Sequence, residues 1–128
     1  MTPRYPIFIP SRGRAETSFT AKAFEKIGIP HAVVVEDDEE ETYVRALGRD
    51  RVLPMPRHGR GVVVTRNWIW DYAEKLGVER YWSFDDNIKG LYRFNENLKV
   101  PVSTGATLCA IEDFTERYLN VPIAGMNY

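Results

Sequence analysis

The run Ala32-Val33-Val34-Val35 constrains this chain more than any other segment. An unbroken apolar stretch of that length, without polar alternation, demands a strand covered on both faces, as parallel sheets provide. Such a strand needs helices above and below it, and the flanking sequence alternates helical and extended patterns. Tyr5 to Ile9 reads as a first strand, rich in β-branched and aromatic residues and ended by Pro10-Ser11-Arg12-Gly13. Phe19, Ala23, Phe24 and Ile27 then form one apolar stripe at helical period, stopped by Gly28 and Pro30. A short helix through Tyr43, Val44 and Leu47 ends at Gly48, and Arg51 to Met55 gives a third strand that Pro54 marks as an edge. A helix from about Thr65 to Leu76 buries Ile69, Tyr72, Ala73 and Leu76, and Gly77 closes it before a strand from Tyr81 to Phe84. Beyond Ile88 the chain reads as irregular until an amphipathic helix near Ile111 to Leu119, with Pro122 to Ala124 beginning a final strand.

This alternation predicts a three-layer α/β domain with a mostly parallel, Rossmann-like sheet. The usual doubly wound order sets the first strand beside the fourth, where the winding reverses and ligands bind. A chain of 128 residues suits one such domain, 1–128. The single cysteine, Cys109, excludes an intrachain disulfide and fits a reducing, cytoplasmic setting, as a buried structural thiol rather than a nucleophile. No apolar run is long enough to span a bilayer, and Pro6 and Pro10 bracket too short a stretch for a signal peptide.

A net charge of −1 selects neither nucleic acid nor an acidic partner. The charges are nevertheless segregated along the chain. Glu36 to Glu41 are all acidic, whereas Arg45, Arg49, Arg51, Arg57, Arg60 and Arg66 face the single acid Asp50. Segregation of this kind focuses a field on an anionic ligand, while a solvated helix face beside a basic loop explains the same residues without one.

Tyr81-Trp82-Ser83-Phe84-Asp85-Asp86-Asn87 passes abruptly from an apolar strand to three oxygen-bearing side chains. Adjacent carboxylates repel, so they are kept at the end of a core strand where a cation, a basic side chain or water compensates them. Oxygen ligands favour Mg²⁺ or Mn²⁺ over zinc, and strand ending with turn capping is the alternative reading of the same residues. In the doubly wound arrangement Ser11, Arg12, Arg14, the acids after Val35 and Asp85 to Asn87 all fall along one carboxyl edge of the sheet.

The motifs Ile7 to Arg14, Val33 to Glu36, Gly61 to Asn67 and Phe84 to Asn87 occur in the order seen in glycosyltransferases of the GT-A fold. More narrowly, Arg12-Gly13-Arg14, Thr65-Arg66-Asn67-Trp68, the run Trp82 to Tyr92, and Glu112-Asp113-Phe114 through Arg117-Tyr118 resemble the TET-associated glycosyltransferases of phages, over nearly the whole chain. That resemblance implies sugar transfer from a nucleotide-sugar donor, a UDP-sugar, to hydroxymethylated pyrimidines in DNA, in the cytoplasm of the host. Pro10, Ser11, Arg12 and Arg14 would line the donor pocket, with Glu36 or a nearby acid on the base or ribose. Arg66 and Asn67 would approach the diphosphate or sugar. Asp85, Asp86 and Asn87 would replace the family's Asp-x-Asp motif on a divalent ion, and Asn87, where many relatives carry a third acid, leaves a site that binds metal mainly with the donor present.

The resemblance leaves the proton acceptor unassigned. His31 and His58 read as surface histidines, and Glu112 and Asp113 as either a base or a pair favoured by a helix N-terminus. GT-A enzymes usually continue well past the strand after the metal motif, so the chain reads as a compact or shortened form without the C-terminal acceptor part. The segment Ile123 to Tyr128 reads as an interrupted core element with an open edge, which favours a homo-oligomer. Alternatives are transfer to a glycan or small molecule, a non-catalytic nucleotide-sugar-binding or assembly module, and, more weakly, a receiver domain suggested by Val34 to Glu39.

Overall fold

The computed structural model describes residues 1–56 and 61–126. Val33, Val34 and Val35 are fully shielded at the centre of a parallel sheet, as their sequence requires. The strands of that sheet are β1 (Ile7–Pro10), β2 (Ala32–Glu36), β3 (Val52–Met55) and β4 (Trp82–Ser83), in the order β3-β2-β1-β4 with every pairing parallel. The first strand therefore does lie beside the fourth. β1 aligns Ile7 with Trp82 on one side and Phe8 with Ala32 on the other, which sets its carboxyl end between those of β2 and β4.

Strand alternation sends side chains to opposite faces. Ile7, Ile9, Val33 and Val35 pack with Ala21 and Phe24 of α1 (Phe19–Lys26), Tyr43 of α2 (Glu40–Leu47) and Leu108 of α4 (Ala106–Glu116). Phe8, Val34 and Met55 pack on the other face with Ile69 and Ala73 of α3 (Val62–Leu76). Helices thus cover both faces, and Phe24 sets its ring edge-on to Phe84 at 5.0 Å, joining α1 to the residue where β4 ends. Cys109 is buried with a free thiol. No helix among the described residues is long and apolar enough to cross a membrane.

Several segments depart from the expected reading. β4 spans only two residues and is an edge of the sheet among the described residues, with Trp82 half-buried and Ser83 exposed. Leu76, expected inside, is exposed at the last turn of α3. Between Ile88 and α4 the chain forms a hairpin, β5 (Tyr92–Asn95) against β6 (Leu98–Pro101), turned by Glu96 and Asn97, both at positive φ. Such a two-residue turn suits the strand twist, but Glu-Asn is a weaker signal for it than Asn-Gly. α4 begins at Ala106, whose N–H donates to Thr104 Oγ1, so Glu112 and Asp113 lie well inside the helix rather than at its N-terminus. Residues 122–124 form no strand, while Asn127, Tyr128 and the loop residues Arg57, His58 and Arg60 lie outside the described residues.

His31 is not a surface group. It precedes β2 at the sheet end opposite the β-strand carboxyl termini, is buried, and shares a 2.8 Å hydrogen bond between Nδ1 and the Ile29 carbonyl. Burial lowers its pKa below 6.5, an effect that outweighs the Ile29 bond and the nearby Glu25. The unfolded chain therefore binds the extra proton more readily, so this histidine's contribution is complete above the unfolded value and is lost as pH falls below it. Denaturant melts at pH 7.5 and 5.5 should show a stability loss on acidification that shrinks in His31→Gln; an equal loss in both chains would exclude His31 as the source.

Candidate functional site

Backbone geometry builds the site before any side chain reaches into it. As β1 ends, Ser11 N–H donates to the Val34 carbonyl at 3.0 Å, holding the following loop against β2. Tyr43, fully buried on α2, accepts the Arg14 N–H at 3.0 Å and shares a 2.7 Å hydroxyl bond with Ser11. Burial pushes the Tyr43 phenol up, against the smaller effects of Ser11 and the Arg14 amide. On the other side, Thr20 of α1 donates to the Asp85 carbonyl and accepts the Ile88 N–H at 2.9 Å, pinning the Asp85-Asp86-Asn87 turn. Each polar loop is thus tied to a core helix.

These loops enclose a cleft of about 340 Å³ at the carboxyl edge of the sheet. Pro10, Ser11, Arg12 and Arg14 line it from β1, Glu36 from β2, and Asp85, Asp86 and Asn87 from β4. Gly61, Val62, Thr65 and Arg66 line it from the start of α3. The expected convergence of distant polar segments on one rim is therefore present. Asn67 is the exception, because it lines a neighbouring cleft together with Arg66.

Charge inside the cleft is closely paired. Asp86 accepts from Ser11 Oγ at 2.7 Å and from Arg14 at 2.8 Å, while Asp85 accepts from Arg66 at 2.8 Å. Arg12 is ringed by acids: it bonds Glu36, reaches both Asp38 oxygens at 3.2 and 3.3 Å, and lies 3.5 Å from Glu39. The Asp38 bond contributes most to raising its pKa. Arg12 thus organises the acidic turn after β2. With Arg12, Arg14 and Arg66 against Glu36, Asp85 and Asp86, the charges of the described lining residues sum to zero.

A diphosphate entering this cleft would meet two arginines and the first amides of a fifteen-residue helix, whose N-terminal N–H groups lack partners within the helix. It would also meet two carboxylates. The donor set of Asp85, Asp86 and Asn87 is all oxygen, which fits a hard divalent ion. Among the described residues no cluster of three or more His, Cys, Asp or Glu is arranged to hold a metal. An ion at this turn would have to take its remaining ligands from a bound phosphate or from water.

Other candidates lie elsewhere. Glu112 is 2% exposed and accepts the Arg4 N–H at 2.9 Å, the Tyr5 N–H at 3.2 Å and the Trp82 indole at 2.9 Å, which makes it an anchor for the N-terminal segment. Asp113 pairs with Arg4 at 2.9 Å, and neither acid lines the cleft. Described arginines of the basic stretch meet acids in space: Arg49 meets Glu40 at 3.1 Å, Arg51 meets Glu25 at 2.8 Å, and Arg45 lies 3.7 Å from Glu41. The anchoring roles of Tyr43 and Thr20 carry no local sequence signal, since Tyr43 sits on a helical stripe that reads as core and Thr20 is outside the apolar stripe of its helix. Gly61 and Val62, at the start of α3, line the cleft beside Arg66.

A family model described as TET-Associated Glycosyltransferase matches residues 5–128. No curated protein and no solved structure shows a match.

Proposed function

The chain belongs to the TET-associated glycosyltransferase family and is a glycosyltransferase, and from that premise we propose that it moves a sugar from a UDP-sugar, with a divalent ion, to the hydroxyl of a hydroxymethylpyrimidine in DNA. The observation that carries the donor reading is the meeting of Arg14, Arg66, Asp85, Asp86 and the start of α3 in one cleft where β1 and β4 adjoin. This is the switch point of a doubly wound sheet, and it supports the GT-A form of the fold.

In this reading Arg14 and Arg66 leave their present carboxylate partners to bind phosphate oxygens, and the α3 amides take a further oxygen. Asp85, Asp86 and the Asn87 side-chain oxygen would hold Mg²⁺ or Mn²⁺, which would offset the charge that grows on the leaving diphosphate. Ser11 and Pro10 floor the nucleotide end, and Glu36, fixed by Arg12, faces the ribose or base. The acceptor oxygen bonds to the anomeric carbon as the bond from that carbon to phosphate oxygen breaks, UDP departs with the electron pair, and the hydroxyl proton passes to a departing diphosphate oxygen or to water. Arg14 and Arg66 stabilise that departing charge because they are already positioned before it forms. The buried free thiol Cys109 accords with work in the reducing cytoplasm of a host cell.

The test is a panel of UDP-sugars with Mn²⁺ and DNA carrying 5-hydroxymethylcytosine, read by UDP release and by the mass of the digested nucleosides. UDP release with a hexose added to the modified base is the expected result. Transfer to a saccharide but to no modified DNA would replace the acceptor, and absence of release from every sugar nucleotide would remove the donor reading.

A further inference from the structure

A second cleft, of about 180 Å³, lies on the α3 side of the open sheet edge and is lined by Arg66, Asn67, Ile69, Trp70, Tyr81 and Ser83. One exposed tryptophan on a helix would carry nothing by itself. Trp70 is 64% exposed, however, and lines the recess together with these neighbours. Ile69, 1% exposed, closes the floor, and the Tyr81 ring is held edge-on against Phe8 at 5.8 Å. Asn67 and Ser83 supply an amide and a hydroxyl beside these rings.

The two clefts share Arg66 as a common wall. Its guanidinium donates to Ser83 Oγ at 3.1 Å in the second cleft and to Asp85 Oδ1 at 2.8 Å in the first. A group seated against Trp70 is therefore one side chain away from the carboxylates of the donor site. Among the described residues no strand covers this edge, because β4 is last in the sheet order.

We propose that this second cleft seats the acceptor as a single unpaired pyrimidine, stacked on the Trp70 indole with Asn67 and Ser83 reading its polar edge. The proposal rests on the donor reading above, which puts the sugar diphosphate on the far side of Arg66. A base paired within a duplex keeps both faces in the stack, so a pocket that takes one ring against an indole selects a flipped or single-stranded base. Asn67 thereby belongs to acceptor recognition. Tryptophan suits this role because every base offers a π-face to it.

The experiment titrates the full chain, Trp70→Ala and Trp70→Phe into a fluorescent single-stranded oligonucleotide bearing one 5-hydroxymethylcytosine, and separately measures UDP affinity with Mn²⁺. Trp70→Ala should weaken oligonucleotide binding about 5- to 150-fold, the effect of losing one base–aromatic stack. Trp70→Phe should recover most of it, and UDP affinity should stay with the parent in both. Oligonucleotide affinity unchanged in Trp70→Ala overturns the proposal. So does a parent chain that binds UDP but no oligonucleotide, which leaves the donor reading standing. So does a Trp70→Ala chain that keeps the oligonucleotide and loses only self-association by light scattering, which gives the cleft to a second copy. A parent that binds the oligonucleotide through Trp70 but not UDP would keep this cleft and remove the donor site.

Discussion

An Asp85→Ala chain is expected to fold like its parent and to lose turnover by about 10²- to 10³-fold, the scale on which one group preorganised for transition-state charge acts. The fold should survive because the Asp85 side chain is 51% exposed and its partner is Arg66, itself 46% exposed, so its loss leaves no buried charge behind. Surface pairs of this kind contribute only about 0–1 kcal/mol. UDP titrated calorimetrically with and without Mn²⁺ should show a metal-dependent gain in affinity for the parent and none for Asp85→Ala. Asp86→Ala should behave differently, because Asp86 is only 14% exposed and also fixes Ser11 and Arg14. It should weaken UDP even without metal, through loss of loop order. A full metal response retained by Asp85→Ala would take the ion away from this turn.

The largest effect on stability should come from Glu112→Ala. That carboxylate, 2% exposed, receives two backbone N–H groups and the Trp82 indole N–H from segments far apart in sequence. Truncation leaves those donors facing a cavity, and each unsatisfied buried donor costs about 1–3 kcal/mol. A loss of about 2–6 kcal/mol is expected if two stay dry, which lowers Tm by roughly 10 °C or more for a domain of this size. Glu112→Gln keeps an acceptor oxygen and should recover part of that loss. A Glu112→Ala chain that melts with the parent would show that Arg4, Tyr5 and Trp82 find water instead. Because β4 is paired to β1 over only two residues, the same substitution should loosen the strand that carries Asp85 and Asp86.

The sheet was legible because its strands announce themselves by composition. An unbroken Val33-Val34-Val35 admits little besides a doubly covered strand, and Pro54 marks the β3 edge without tertiary information. The site was legible in outline for a related reason: a doubly wound sheet brings the ends of its strands to one rim, so polar residues after β1, β2 and β4 had to meet. What sequence could not convey is how charge pairs within that rim. Arg12, read as part of the donor pocket's lining, gives its donors to Glu36 and Asp38, while Arg49 meets Glu40 and Arg51 meets Glu25. Glu112 was misread because its helix starts at Ala106, five residues before Ile111, at a Thr104 contact that no apolar period reveals. The hairpin at residues 92–101 was missed because exposed strands joined by Glu96-Asn97 lack both a buried stripe and a glycine turn.

The most direct measurement is a crystal of the chain soaked with UDP and Mn²⁺. The account predicts the diphosphate between Arg14, Arg66 and the first turn of α3, with the ion at Asp85 and Asp86. A diphosphate bound away from the junction of β1 and β4, with Asp85 and Asp86 still paired to Arg66 and Arg14, would contradict it.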